Sequence, residues 1–141
     1  MGRTKPVVSA DYIVGLTDGE GCFYVNFSKM AAYRSGYRIQ LHFHIKLQEM
    51  DRELLERVQN TLDCGGVYYQ REKRSNHTQC YRYTVSGQRD IFDKIIPFFR
   101  QHNLQTTSKR HSFDVFCQIA GIVQQNRHLD PEGIEAVSYT H

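Results

Sequence analysis

From Arg38 to Gln48 the chain alternates without a break, with Ile39, Leu41, Phe43, Ile45 and Leu47 on one side and Arg38, Gln40, His42, His44, Lys46 and Gln48 on the other. Successive side chains of a strand point to opposite faces, so this segment has one greasy face and one face of long hydrogen-bonding groups. Such a strand belongs in an antiparallel sheet that is covered on one side and wet on the other. Phe23, Val25 and Phe27 alternate in the same way with Tyr24, Asn26 and Ser28, and the two strands join through a polar loop at Arg34-Ser35-Gly36. A second hairpin reads from Val67 to Lys73, turns near Ser75-Asn76, and returns from His77 to Val85 with Tyr81, Tyr83 and Val85 opposite Cys80, Arg82 and Thr84.

Between and after the hairpins the apolar spacing becomes helical. Ser9 to Glu20 reads as a first helix with Ser9 as N-cap and Asp11 in the first turn. Asp51 caps a second, with Leu54, Leu55, Val58 and Leu62 on one face and Gly65-Gly66 closing it. Arg89 to Gln101 makes a third, apolar at Ile91, Phe92, Ile95 and Ile96 and interrupted by Pro97. Thr107 or Ser108 starts a fourth, with Phe113, Phe116, Ala120 and Val123 recurring at helical spacing, and Asp130-Pro131-Glu132 opens a short last turn. The order is helix, hairpin, helix, hairpin, helices, which is an α+β chain with a four-stranded antiparallel sheet and helices on one face. At 141 residues, without linker, low-complexity tract or internal repeat, the expectation is one domain over residues 1–141.

Net charge is only +3, but its placement is uneven. No acid stands between Glu20 and Glu49, where Lys29, Arg34, Arg38 and Lys46 accompany His42 and His44. Arg71, Lys73, Arg74, Arg82 and Arg89 face Glu72 alone, whereas Glu49, Asp51, Glu53, Glu56 and Asp63 face only Arg52 and Arg57. With the basic segments as strands and the acidic one as a helix, the domain has one positive and one negative face, the footprint of a nucleic-acid binder. The bland alternative is a solvated charge distribution without function. No apolar run approaches the ~20 residues of a membrane helix, and the N-terminus lacks an apolar signal core, so an intracellular protein is expected. Four widely spaced cysteines, Cys22, Cys64, Cys80 and Cys117, read as reduced, partly buried thiols without zinc-ligand spacing.

The first helix ends unusually. Asp18 and Glu20 stand at its C-terminus, where the helix dipole disfavours acids by ~0.3–1 kcal/mol each unless a cation offsets them. Gly15 and Gly19 lie four apart on one face, at ~1 kcal/mol each relative to alanine, a cost that close approach of another backbone offsets. Ile13 to Gly21 reads I-V-G-L-T-D-G-E-G and resembles the signature of the LAGLIDADG homing endonucleases. Gly15, Leu16, Asp18 and Gly21 match it; Ile13, Val14, Gly19 and Glu20 are conservative replacements, and Thr17 is a polar departure. Two further stretches resemble the family: F-H-I-K-L-Q-E-M-D-R-E-L-L from Phe43, closing in C-G-G at Cys64-Gly65-Gly66, and Phe98-Phe99 followed by K-R-H-S-F to Phe113. The element order is similar to the family's αββαββα core, which implies a saddle-like sheet with a DNA-binding surface opposite the helices.

The resemblance implies a homodimeric, metal-dependent, site-specific endonuclease cutting a long pseudo-palindromic duplex target to cohesive ends. Glu20, at the family's last acidic position, is the expected Mg²⁺ ligand with the Gly19 carbonyl; Mn²⁺ is expected to substitute and Ca²⁺ to bind without cleavage. The family more often has aspartate there. Lys109 matches the lysine that stabilises charge or orders solvent at the scissile phosphate, and Gln48 resembles the polar residue that positions water; each also reads as a surface residue. Tyr12, Gly15, Leu16, Asp18 and Gly19 are the expected dimer interface, with Asp18 capping or orienting the helix end. From the residues themselves, outward strand positions are the expected base readers: Tyr24, Asn26, Ser28, Arg38, Gln40, His42, His44, Lys46, Tyr68, Gln70, Arg82 and Thr84. Arg34, Arg71, Lys73 and Arg74 are expected at phosphates. Such a protein would be intron- or intein-encoded, free-standing given its own Met1, and located with the DNA of a bacterial cytoplasm or organelle. The alternative on the same scaffold is an intron RNA maturase or a non-cleaving DNA-binding protein.

Overall fold

The protein is described by a computed structural model for residues 6–29, 36–71 and 79–124. Arg34, Lys73, Arg74, the turn near Ser75-Asn76 and the last turn at Asp130-Pro131-Glu132 lie outside the described residues. The elements run α1 (Ala10–Glu20), β1 (Gly21–Lys29), β2 (Tyr37–Gln48), α2 (Arg52–Leu62), β3 (Gly66–Gln70), β4 (Cys80–Val85), α3 (Gln88–Asp90), α4 (Ile96–Gln101) and α5 (Thr107–Gln124). The four strands form one antiparallel sheet in the order β1-β2-β4-β3. The strand with the unbroken alternation, β2, therefore lies inside the sheet, and short β3, with Tyr68 and Tyr69 exposed, forms one edge.

All helices with apolar faces pack on one side. The buried face of the sheet consists of Val25, Ile39, Leu41, Phe43, Ile45, Tyr83 and Val85, and it meets Ile13 and Val14 of α1 and Leu55, Val58 and Leu62 of α2. Ile96 and Phe99 of α4 and Phe113, Phe116, Ile119, Ala120 and Val123 of α5 complete the core. Phe23 anchors an aromatic cluster, its ring centroid 5.1 Å from Phe43 and Phe113, 5.4 Å from Phe116 and 5.5 Å from Phe99. The Tyr83 hydroxyl, buried beneath the sheet, donates to the Cys64 carbonyl at 2.7 Å, so the polar end of this core residue is satisfied.

Local chemistry sets the boundaries. Ser9 caps α1, its hydroxyl accepting from the Tyr12 amide at 3.2 Å. Asp51 does not cap α2 with its side chain; a 3-10 turn over Glu49–Asp51 leads directly into the helix. At the other end Asp63, in the left-handed region at φ 58°, closes α2 before Gly65 at φ +83°. The expected interruption at Pro97 takes the form of a π-helical segment, Ile91–Ile95, joining α3 to α4. Proline lacks an N–H and crowds the carbonyl four residues back, and one wider turn relieves both while keeping Ile91 and Ile95 in the core. The acids Glu49, Asp51, Glu53 and Asp63 are exposed on α2 or in the turns that flank it.

Candidate active site and nucleic-acid interface

The outward positions of neighbouring strands fall into rows. Tyr24 pairs with His42, Asn26 with Gln40 and Ser28 with Arg38. His44 lies between Cys22 and Thr84, Lys46 beside Arg82 and then Tyr68, and Gln48 beside Cys80 and then Gln70. No Asp or Glu occupies any of these positions. The expected base readers therefore share one acid-free surface opposite the helices, and Arg71 is exposed just past β3. Side chains on this surface hold one another. Asn26 Nδ2 donates to Gln40 Oε1 at 3.1 Å, and His44 Nδ1 lies 3.3 Å from Thr84 Oγ1. The His42 and His44 rings stack at 5.6 Å between centroids, with Tyr24 against both. Partial burial lowers the pKa of His42, and burial with the nearby charges of Arg82 and His42 brings His44 down to about 4. Neutral imidazoles of this kind each offer one donor and one acceptor to a base edge.

The motif stands at one end of this face. Gly21 pairs with Ile45, so the chain leaves α1 and enters the sheet beside Lys46. Gly21 is extended, at φ −78° and ψ 158°, and its need for glycine is spatial: a Cβ there would lie 2.6 Å from Thr17 Cγ2 and 2.9 Å from the Thr17 Cα and carbonyl oxygen. Thr17, the polar departure in the motif, is completely buried, and among the described residues its hydroxyl has no partner.

The two acids of the motif separate. Asp18 reaches across to the start of α5, accepting from the Gln105 amide at 3.0 Å, the Thr106 amide at 3.1 Å and the Thr106 hydroxyl at 3.0 Å. It thus ties the end of α1 to the two residues ahead of α5 rather than to amides of its own helix. Burial acts to raise its pKa, but the hydrogen bonds from Gln105 and Thr106, with the charge of Lys109, outweigh that and hold it below 3.8. Glu20 is exposed, and among the described residues no hydrogen bond or ion pair reaches it. Lys109 Nζ donates to the carbonyl of Gly21, the residue after Glu20, so the expected catalytic lysine is brought to the motif from 88 positions away in sequence. Gln48 is not brought as near by register. It is an exposed outward residue three positions past Ile45, with Lys46 between.

A carboxylate free of partners at the negative end of a helix suits a hard divalent cation. Among the described residues no group of three or more His, Cys, Asp or Glu side chains could enclose a metal. A cation held through Glu20 and a backbone carbonyl would therefore need its remaining ligands from substrate, water or a second subunit, which fits Mg²⁺, an ion bound through one or two carboxylates plus phosphates. The outer face of α1 is open: a Cβ on Gly15 or Gly19 would meet nothing within 4 Å, and Tyr12 is exposed beside them. Two features escaped the sequence reading. Cys22 is exposed and faces outward with His44, against the expectation of a partly buried thiol; the strand begins at Gly21, and extending its alternation back two residues would have found it. Thr106 is the cap of α5, one residue before the expected start, its hydroxyl accepting from the Lys109 amide at 3.3 Å.

Residues 13–120 match the family profile described as LAGLIDADG endonuclease. Probable intron-encoded endonuclease 2 of Neurospora crassa is 32% identical over 130 residues, covering 92% of this chain and 28% of that protein. The chain thus spans little more than a quarter of that relative. The homing endonuclease I-TnaI superposes with a TM-score of 0.82 at 28% identity, covering 95% of this chain and 86% of that one. I-SmaMI, solved with an uncleaved DNA target in the presence of calcium ions, superposes with a TM-score of 0.84 at 30% identity, covering 98% of this chain and 45% of that one. Among the described residues no helix is long and apolar enough to cross a membrane. By its motif, its αββαββα order and these likenesses, the chain belongs to the LAGLIDADG endonuclease family.

Proposed function

We propose that the protein is a site-specific, metal-dependent double-stranded DNA endonuclease acting as a homodimer. The observation that carries this reading is the meeting of Lys109 with the Gly21 carbonyl beside an unengaged Glu20, at the edge of an acid-free face of readers. Glu20 and the Gly19 carbonyl hold the cation, and Mg²⁺ is the physiological one, with Mn²⁺ able to replace it and Ca²⁺ binding without turnover. The cation, when bound, supplies charge stabilisation to the attacked phosphate and the leaving oxygen. Lys109 places positive charge at the scissile phosphate, and Gln48 orders water from the end of β2. The outward side chains fix the DNA register, with Arg38 and Gln40 able to make bidentate contacts to guanine and adenine. Arg71 meets phosphate, as do Arg34, Lys73 and Arg74.

Gly15 and Gly19 admit the α1 of a second copy, with Tyr12, Leu16 and Asp18 around them. Two-fold pairing sets two sites against opposite strands and implies a pseudo-palindromic target cut to cohesive ends. DNA of a genetic compartment that carries mobile introns is the natural substrate, as the intron-encoded relative suggests. Retention of both Glu20 and Lys109 favours cleavage over an RNA maturase or a DNA-binding role alone. The test is Glu20→Gln. It is expected to remove the negative charge, abolish cleavage and leave DNA affinity in place. Cleavage that persists at the wild-type rate would remove Glu20 from the metal site.

A further inference from the structure

Two helix ends in this fold carry charges of the wrong sign for their own dipoles. The last turn of α1 has Asp18 and Glu20 and no basic residue, and α5 begins with Lys109 and Arg110 and no acid in its first turn. The fold sets the two ends against each other. Asp18 takes the Gln105 and Thr106 amides and the Thr106 hydroxyl, and Lys109 reaches back to the Gly21 carbonyl. Thr106 links the two contacts, since its hydroxyl also lies 3.3 Å from the Lys109 amide. A closed circuit results, from Asp18 through Thr106 and Lys109 to Gly21, three residues beyond Asp18.

We propose that Asp18 is a positioning residue for cleavage: by holding Thr106, the residue that caps α5, it fixes the first turn of α5 and thereby the reach of Lys109 to the backbone beside Glu20. The inference rests on the reading of Lys109 as a group acting at the scissile phosphate. It accounts for two acids separated by one residue with different partners. Asp18 spends its lone pairs on the Gln105 and Thr106 amides and the Thr106 hydroxyl, just ahead of α5, and Glu20 keeps its own for the cation. First-turn backbone N–H groups lack intrahelical partners, and Thr106 serves that of Lys109; with Thr106 released from Asp18 the first turn frays and the side chains on it lose their aim. Loss of aim by about 1 Å at a reacting group can cost ~100-fold in rate.

The test compares Asp18→Ala, Asp18→Asn, Lys109→Ala and the Asp18→Ala/Lys109→Ala double variant on a duplex recovered by cleavage of a randomised library. Single-turnover cleavage is measured in Mg²⁺, DNA affinity in Ca²⁺, and assembly by sedimentation. Asp18→Ala is expected to slow cleavage roughly 10- to 100-fold with affinity little changed. Asp18→Asn, whose amide oxygen still accepts from the two backbone N–H groups, recovers most of that loss. The double variant cuts no more slowly than Lys109→Ala, because Asp18 acts through Lys109. A purely structural Asp18 would lower the melting temperature and multiply with the lysine variant; such multiplication, or wild-type cleavage by Asp18→Ala, overturns the proposal. Should Asp18→Ala fail to fold, Thr106→Val opens the same circuit and carries the same expectation against Lys109→Ala. Wild-type cleavage by Lys109→Ala overturns the parent reading of the lysine instead, so the two failures are distinguishable.

Discussion

Neighbouring residues of the motif differ sharply in what their surroundings leave them to do. Glu20 is exposed and unengaged among the described residues, whereas Asp18 is committed to α5. Charge stabilisation by a cation is worth several kcal/mol, so Glu20→Gln is expected to slow cleavage by at least roughly 100-fold while gel-shift affinity holds. Gly21 tests spatial fit. Its Cβ would enter the space of Thr17, so Gly21→Ala is expected to destabilise the fold by about 1–3 kcal/mol in chemical denaturation. His44 tests the electrostatics of the outward face. Its pKa lies at about 4 in the folded chain against 6.5 ordinarily. Between those values the unfolded chain binds the extra proton, so this contribution to stability is full above pH 6.5 and is lost as pH falls towards about 4. His44→Gln is expected to flatten the pH dependence of the melting temperature across that window, and an unchanged slope would place the imidazole in ordinary solvent.

At the scale of elements, α1 is a helix with one face committed and one face open. Ile13, Val14 and Thr17 are buried within the chain, while Gly15 and Gly19 look onto free space. Gly15→Ala is therefore expected to stabilise an isolated chain by up to ~1 kcal/mol through helix propensity, yet to weaken the proposed pairing. Gly19→Leu should break that pairing outright in sedimentation; an intact dimer with leucine there would move the interface to another surface. Most elements were legible in the sequence because they follow from periodicity: the alternation of Arg38 to Gln48 and the apolar faces of α2 and α5 required no partner to be read. The pairing of β2 with β4 was not, since both hairpins are local and only their shared apolar faces bring them side by side. Nor was the π-helical turn before Pro97, which depends on Ile91 and Ile95 both needing the core. Of the candidate site, Glu20 and Lys109 could be named from the sequence, and the fold brings Lys109 to the backbone beside Glu20. The partners of Asp18 could not, because two of the three groups it engages are backbone amides, whose positions no side-chain pattern records.

For the whole molecule, charge and topology act together. Among the described residues the outward strand positions carry no acid, while Glu49, Asp51, Glu53 and Asp63 lie exposed on and beside α2, so DNA binding is expected to be strongly salt-dependent. Arg71→Ala, removing the proposed phosphate contact beyond β3, should lower the slope of log affinity against log salt by about 0.9 without changing target preference, whereas Arg38→Ala should relax preference at one base pair. The most direct measurement is cleavage of a randomised duplex library by the purified protein in Mg²⁺, with Ca²⁺ and EDTA as controls. Ends recovered only in Mg²⁺, clustered around one long and nearly two-fold symmetric site, are the predicted result. Enriched binding with no cut ends in Mg²⁺ would contradict the account, and intron RNA would then be the ligand to test.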